Sequence, residues 1–281
     1  MKFEKWQALG NDYLILETQN LPWDLSPKRI EWLCDPHFGV GADGILLLAR
    51  SEEPEFVATL RIFNPDGSEA ELSGNGAREA ILYLRRHGWT DEDEFAISTV
   101  AGPIVPTITG ELTCSVDMGR AATSSKDFPS GGKDGRGKLT SAGREWEFQH
   151  VSIGNPQCAI VVGAALDDLD LGEIGPEIEA SPLFPNRTNV SFLAIDGNTV
   201  RARIFERGVG ETLSSGTGAG GAAVTAHLLG APSPIVVELE GGELEVEIGA
   251  DLEVRLTGWA EPVYGGELSP ELLDALSELD H

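Results

Sequence analysis

Cysteine is scarce in this chain. Its 281 residues contain three, Cys34, Cys114 and Cys158. No two have the close spacing of a zinc ligand pair or a redox motif. An odd, scattered set reads as reduced thiols, each serving as a small buried apolar residue. The five histidines (His37, His87, His150, His227 and His281) are dispersed as well, so the sequence carries no metal signature. Basic residues are also few, 20 Lys and Arg against 46 Asp and Glu, for a formal charge of −26. That balance argues against nucleic acid and anionic membrane surfaces as partners, and makes each cation near a loop more informative. No run approaches the ~18 apolar residues of a membrane span. Met1-Lys2-Phe3-Glu4 opens no secretory signal, so a cytoplasmic location is expected.

Glycine, by contrast, is abundant, and it falls in a motif that occurs twice. Residues 73–77 read Ser-Gly-Asn-Gly-Ala and residues 215–219 read Ser-Gly-Thr-Gly-Ala, one copy in each half of the chain. The repeat extends beyond the motif. Arg61-Ile62-Phe63 recurs as Arg203-Ile204-Phe205, Glu69 matches Glu211, Ala80 matches Ala222, and Gly88 matches Gly230. After a short slip, Gly102, Ile104, Ile108, Leu112 and Val116 align with Gly242, Leu244, Ile248, Leu252 and Leu256. Such ordered agreement predicts a duplicated domain.

Each half reads as many short strands plus one helix, Gly76–His87 in the first and Gly218–Leu229 in the second. This pattern is α+β, with each half a rolled sheet or barrel around a central helix. The expected boundaries are residues 1–119, an exposed Ser/Gly/Lys/Asp-rich linker at 120–145, and residues 146–260. A tail at 261–281 returns to the first domain. A pseudo-twofold relation would leave a cleft between the halves.

A glycine-rich loop entering a helix offers unpaired N–H groups and the positive end of a dipole. Two such loops meeting across a pseudo-twofold predict a cradle for one carboxylate, with residues 73 and 215 on opposite sides of its α-carbon. That arrangement suits removing a proton from one face and returning it to the other, with the carbanion stabilised electrostatically and no cofactor.

Several segments together resemble the diaminopimelate epimerases. They are Gly10-Asn11-Asp12-Tyr13, His37-Phe38-Gly39-Val40-Gly41-Ala42-Asp43-Gly44, Asn64-Pro65-Asp66-Gly67-Ser68 leading to Gly74-Asn75-Gly76, Gly154-Asn155-Pro156, Asn186-Arg187-Thr188-Asn189-Val190, and Glu206-Arg207-Gly208-Val209-Gly210-Glu211-Thr212. The resemblance runs nearly end to end. It implies a cofactor-independent isomerase that interconverts LL- and meso-diaminopimelate in lysine synthesis and assembles as a homodimer. Asn11, Asn64, Asn155 and Asn189 would contact the substrate. Glu206 and Arg207 would hold its distal ammonium and carboxylate. Gly74, Asn75, Gly216 and Thr217 would supply backbone donors to the reacting carboxylate. Tyr264 resembles a tyrosine at the dimer contact of some members.

The chain departs from the family at the chemistry. Ser73 and Ser215 stand where the family has its two catalytic cysteines. A thiol ionises readily, whereas a serine hydroxyl needs an adjacent base, and neither motif contains a histidine. Gln157 replaces the histidine usual after Gly-Asn-Pro, and Gly44 lacks the side chain that some members use there. Two other readings follow. One is a Cys-to-Ser relative that binds an amino acid without turnover. The other is an isomerase of the phenazine-biosynthesis type, in which Glu71, Glu79 or Glu206 would be the acid.

Overall fold

The computed structural model describes residues 1–71 and 73–279. The chain begins with strands β1 (Lys2–Ala8) and β2 (Asn11–Glu17), helix α1 (Pro27–Cys34), β3 (Ile45–Arg50), β4 (Ala58–Phe63) and the short β5 (Glu69–Ala70). Helix α2 (Gly74–Arg86) follows, then β6 (Ile97–Thr99), β7 (Gly102–Ile104), β8 (Thr107–Gly110) and β9 (Thr113–Arg120). The next stretch holds β10 (Arg136–Ser141), β11 (Arg144–Ser152), β12 (Pro156–Val161), α3 (Leu171–Glu179), β13 (Asn189–Asp196), β14 (Thr199–Glu206) and β15 (Gly210–Thr212). Helix α4 (Gly216–Leu228), β16 (Ile235–Leu239), β17 (Gly242–Ile248), β18 (Glu253–Trp259), β19 (Glu261–Glu267) and α5 (Pro270–Glu278) complete it. Among the described residues no helix is long and apolar enough to cross a membrane.

The chain forms two compact units. One is Met1–Val116 with the segment from Trp259 onward, and the other is Asp117–Gly258. In the first, the strands run in the order β19-β1-β2-β3-β4-β6-β7, with β5 paired to β4. In the second they run β10-β11-β12-β13-β14-β16-β17-β18, with β15 paired to β14. Neither path closes on itself, so each sheet is open; the barrel form of the expectation does not occur. The duplication shows in the pairing. β2–β3 and β4–β6 are parallel in the first unit, and β12–β13 and β14–β16 are parallel in the second. The intervening β3–β4 and β13–β14 pairs are antiparallel.

Pro27 opens α1 at a position where its missing N–H costs nothing, and the Ser26 side chain caps the Arg29 amide. α1 and α5 cover one face of the first sheet, where Ile30, Leu33 and Leu276 meet Leu14, Leu16, Ile45 and Leu47. α2 packs against β1, β2 and β3. Covered on both faces, β3 needs no polar side, and Ile45-Leu46-Leu47-Leu48 are all buried. In the second unit α3 lies over a core that includes Trp146, Cys158, Phe192 and Phe205. α4 touches β11, β12, β13, β14, β16 and β17. Its Gly218-Ala219-Gly220-Gly221-Ala222-Ala223 run makes this possible. A β-carbon at Gly218 would lie 2.6 Å from Ile204 Cδ1, and one at Gly220 2.9 Å from Ile153 Cδ1.

Several expectations are corrected. Residues 120–145 are not an exposed linker along their length, because they contain β10 and bury Ala121, Phe128 and Leu139. The polar composition hides a strand that alternates exposed and buried residues and pairs with β11. Both central helices start two residues earlier than read, at Gly74 and Gly216, with the motif serines themselves as caps. Between β7 and β8 the ladder is interrupted at Pro106, which has no N–H to give it. α3 escapes the pattern because Gly172, Gly175 and Pro176 fall inside it. His281 lies outside the described residues.

Candidate active site

In the first unit, Ser73 caps α2, and its Oγ accepts a hydrogen bond from the Gly76 amide at 3.1 Å. The same oxygen accepts a second bond, from the Tyr13 hydroxyl at 3.1 Å. Gly44 makes room for that phenol. A β-carbon there would lie 2.7 Å from Tyr13 Cε1 and would also overlap the Phe63 carbonyl oxygen. Burial pushes the Tyr13 hydroxyl up to about 12, so it stands as a protonated donor at neutral pH.

Polar side chains fix the first turn of α2. Asn75 Nδ2 donates to Asn11 Oδ1 at 3.3 Å, and Asn11 Nδ2 donates to Asp43 Oδ2 at 2.9 Å. Arg78, almost fully buried, donates to the Gly74 carbonyl at 3.2 Å and to Asn75 Oδ1 at 2.6 Å. Neighbouring Glu79 is also buried, and neither carboxyl oxygen has a hydrogen-bond partner among the described residues. Burial pushes this carboxyl well above the usual range, with Arg78 pulling the other way. Glu71 is exposed. Asn64 spends its side-chain amide on Ser68 Oγ at 3.0 Å, inside the 64–68 turn.

In the second unit, Ser215 caps α4 and accepts from the Gly218 amide at 3.2 Å. Its hydroxyl donates to Glu206 Oε2 at 3.0 Å, and Thr212 Oγ1 donates to Glu206 Oε1 at 2.8 Å. A carboxylate therefore sits directly on this serine. It is the adjacent base that the motif itself lacks, and it comes from the end of β14, folded back by the Glu206–Gly210 pairing with β15. Asn155 Nδ2 donates to Thr217 Oγ1 at 3.1 Å, repeating the Asn75–Asn11 link. Gln157 Nε2 donates to Asn155 Oδ1 at 2.6 Å and to Thr217 Oγ1 at 3.3 Å. Cys158 points to the opposite face, into the core.

Asn189 serves the backbone. Its Oδ1 accepts from the Arg207 amide at 2.8 Å and its Nδ2 donates to the Pro156 carbonyl at 3.3 Å. The exposed Arg207 side chain donates to the Asn186 carbonyl at 2.9 Å. With Lys126, Arg187 and Asn155 it lines an open cleft of about 530 Å³ within this unit. Asp127 lines the same cleft, and Arg187 is ion-paired to the buried Glu179. Tyr264 lies on β19, 44% exposed, edge-on to Phe3.

Thus the first unit groups Asn11, Gly44, Ser73, Gly74 and Asn75, and the second groups Asn155, Gln157, Asn189, Glu206, Arg207, Ser215, Gly216 and Thr217. Asn64 and Tyr264 stand apart from these networks. The sequence reading missed Tyr13 and Thr212, and gave Glu206 to the substrate rather than to Ser215. The internal alignment sets Glu206 opposite Asn64, and the equivalent strand pairings, Leu14 with Ile45 and Cys158 with Val190, set Gln157 opposite Tyr13. None of the thiols replaces a motif serine as a base. Cys34, Cys114 and Cys158 are buried, and burial raises all three.

The family model described as diaminopimelate epimerase matches residues 3–124 and 149–261. A diaminopimelate epimerase 2 of Nostoc sp. is 42% identical, covering 97% of each chain. A diaminopimelate epimerase of Synechococcus sp. (strain JA-3-3Ab) is 40% identical over 95% of this chain and 97% of its own. Among solved structures, a phenazine biosynthesis protein of Bacillus anthracis superposes with a TM-score of 0.68 at 19% identity, covering 96% of this chain and 99% of that one. A hydroxyproline epimerase of Agrobacterium vitis gives 0.63 at 15% identity, covering 97% and 94%. These last two share the fold. From the family match and the identities, the chain belongs to the diaminopimelate epimerase family.

Proposed function

We propose that the chain interconverts LL- and meso-diaminopimelate by two-base transfer of the α-proton. The observation that carries this reading is the Ser215–Glu206 hydrogen bond of 3.0 Å. A serine becomes a usable base when a neighbouring group takes its proton. Abstraction then moves the α-proton to Ser215 Oγ as the Ser215 proton passes to Glu206. Ser73 occupies the second proton-transfer position. The amides opening α2 and α4, at Gly74, Asn75, Gly216 and Thr217, stabilise charge developing on the substrate carboxylate. Arg207, with Arg187 and Lys126 nearby, takes the distal carboxylate, and Asn11, Asn64, Asn155 and Asn189 supply or order polar contacts around the amino acid.

Both proton carriers are side chains, so the reading needs no pyridoxal phosphate. It places the enzyme in the cytoplasm, in lysine synthesis. It also takes the protein to be a homodimer, an inference supported by the half-exposed Tyr264 and Val263 on the end strand β19. Conversion is tested by incubating LL-diaminopimelate with the enzyme and separating stereoisomers by chiral chromatography. Appearance of the meso form supports the reading. Calorimetric binding without conversion would instead identify a binding protein.

A further inference from the structure

The two motif serines differ in what their protons do. A hydroxyl has one proton and two lone pairs. Ser215 commits its proton to Glu206. Ser73 accepts from Gly76 and Tyr13 through both lone pairs, and among the described residues it has no acceptor for its own proton. The first arrangement is ready to receive a proton and the second to deliver one. We propose that Tyr13 is a positioning residue that holds the Ser73 hydroxyl as a donor and replaces the proton Ser73 gives up. The proposal rests on the epimerase reading and deepens it.

The step balances. The carbanion electron pair forms the new C–H bond with the Ser73 hydroxyl proton, and the Ser73 O–H bond breaks. At the same time the Tyr13 O–H bond breaks and its proton re-forms the Ser73 hydroxyl. The charge ends on the Tyr13 oxygen, which water reprotonates. In the opposite direction the phenolate takes the Ser73 proton while Ser73 takes the α-proton.

Three features of the first unit converge on this role. Gly44 leaves the space the phenol ring occupies. Ser73 puts a hydroxyl where the ring can reach it. Tyr13 is buried, with Glu79 on α2 and Asp43 before β3 as its acidic neighbours and Asn11 beside it on β2. Burial and the Asp43 carboxylate favour the neutral phenol, the Ser73 and Asn11 side chains pull the other way, and Trp6 of β1 is its cross-strand partner.

The test is a variant cycle read by exchange of the diaminopimelate α-hydrogen with deuterium, with melting temperature followed to monitor folding. Tyr13→Phe keeps the ring and removes the hydroxyl, and is expected to slow exchange at least tenfold. A Ser73→Cys background supplies a thiol that ionises unaided, and there the loss should shrink at least fivefold. In the wild type, exchange of the epimer that Ser73 deprotonates should rise with pH as phenolate forms, and this rise should vanish in Tyr13→Phe. An equal loss in both backgrounds, or no loss in either, would overturn the relay while leaving the epimerase reading intact. Exchange by Ser73→Cys plus Ser215→Cys but not by the wild type would also overturn it. No exchange by either protein would overturn the epimerase reading and the relay with it.

Discussion

Glu206 Oε2 receives the Ser215 hydroxyl at 3.0 Å, while Asn64, its counterpart in the repeat, turns its amide to Ser68. The duplicated scaffold thus carries an unequal pair of sites. An amide cannot take a proton at any ordinary pH, and a carboxylate can. The same inequality recurs at Tyr13 and Gln157, the one a hydroxyl donor to its serine, the other an amide bound to Asn155 and Thr217.

Glu206→Gln preserves the size of the side chain and removes its ability to accept a proton. Exchange of the substrate α-hydrogen should fall by about 10²–10⁴-fold, the usual worth of a general base. Circular dichroism should be unchanged. A loss below threefold would mean that Glu206 only orders the loop.

The repeated Arg–Glu pairs make a stability test, because their immediate geometry is alike and their surroundings are not. Arg61 Nε and Arg203 Nε each donate at 2.8 Å, to Glu69 and Glu211. Arg203 is more buried, and its Nη1 also donates to the Leu166 and Leu169 carbonyls at 3.1 and 2.9 Å. Arg61→Lys should cost under ~1 kcal/mol, as for exposed pairs. Arg203→Lys should cost ~1–3 kcal/mol, because buried carbonyls lose their donor. Urea unfolding of the two variants reads the difference.

Much of this was legible from residues alone. Arg61, Glu69, the motif glycines and the helix-closing Gly88 and Gly230 gave the duplication. What stayed hidden depended on distant chain segments meeting. Glu206 and Ser215 are separated by a turn and β15, and Tyr13 reaches Ser73 across the packing of α2 on β2. α3 was obscured because its glycines serve packing: a β-carbon on Gly175 would lie 2.6 Å from the Phe205 ring. A polar composition likewise masked β10, whose inward residues, Leu139 and Ser141, are buried.

Glu79 should make stability fall as pH rises. Its folded-state pKa is raised above the ordinary 4.5, so the folded protein holds a proton that the unfolded chain releases. The stabilising preference for the neutral acid is full below about 4.5 and is lost progressively as pH climbs toward the folded-state value. Glu79→Gln should flatten this slope, and Glu79→Leu should stabilise the protein by at least ~1 kcal/mol at pH 8. Urea unfolding at pH 5 and pH 8 checks both.

Gly218→Ala should destabilise the second unit despite alanine's better helix propensity. The new methyl would stand 2.6 Å from Ile204 Cδ1 and 3.1 Å from Ser215 Cβ. Overpacking of this kind costs ~1–3 kcal/mol, against a propensity gain of ~1 kcal/mol or less. The prediction is a lower urea midpoint together with slower turnover, since the displaced side chains include Ser215.

The central claim is that a serine backed by a carboxylate removes the α-proton of diaminopimelate. Proton NMR of the substrate in D₂O with high concentrations of enzyme measures this directly. The account predicts loss of the α-proton signal with the wild type and its retention with Glu206→Gln and Ser215→Ala over the same period. An α-proton signal that persists with the wild type, or one that disappears equally fast in all three proteins, would contradict it.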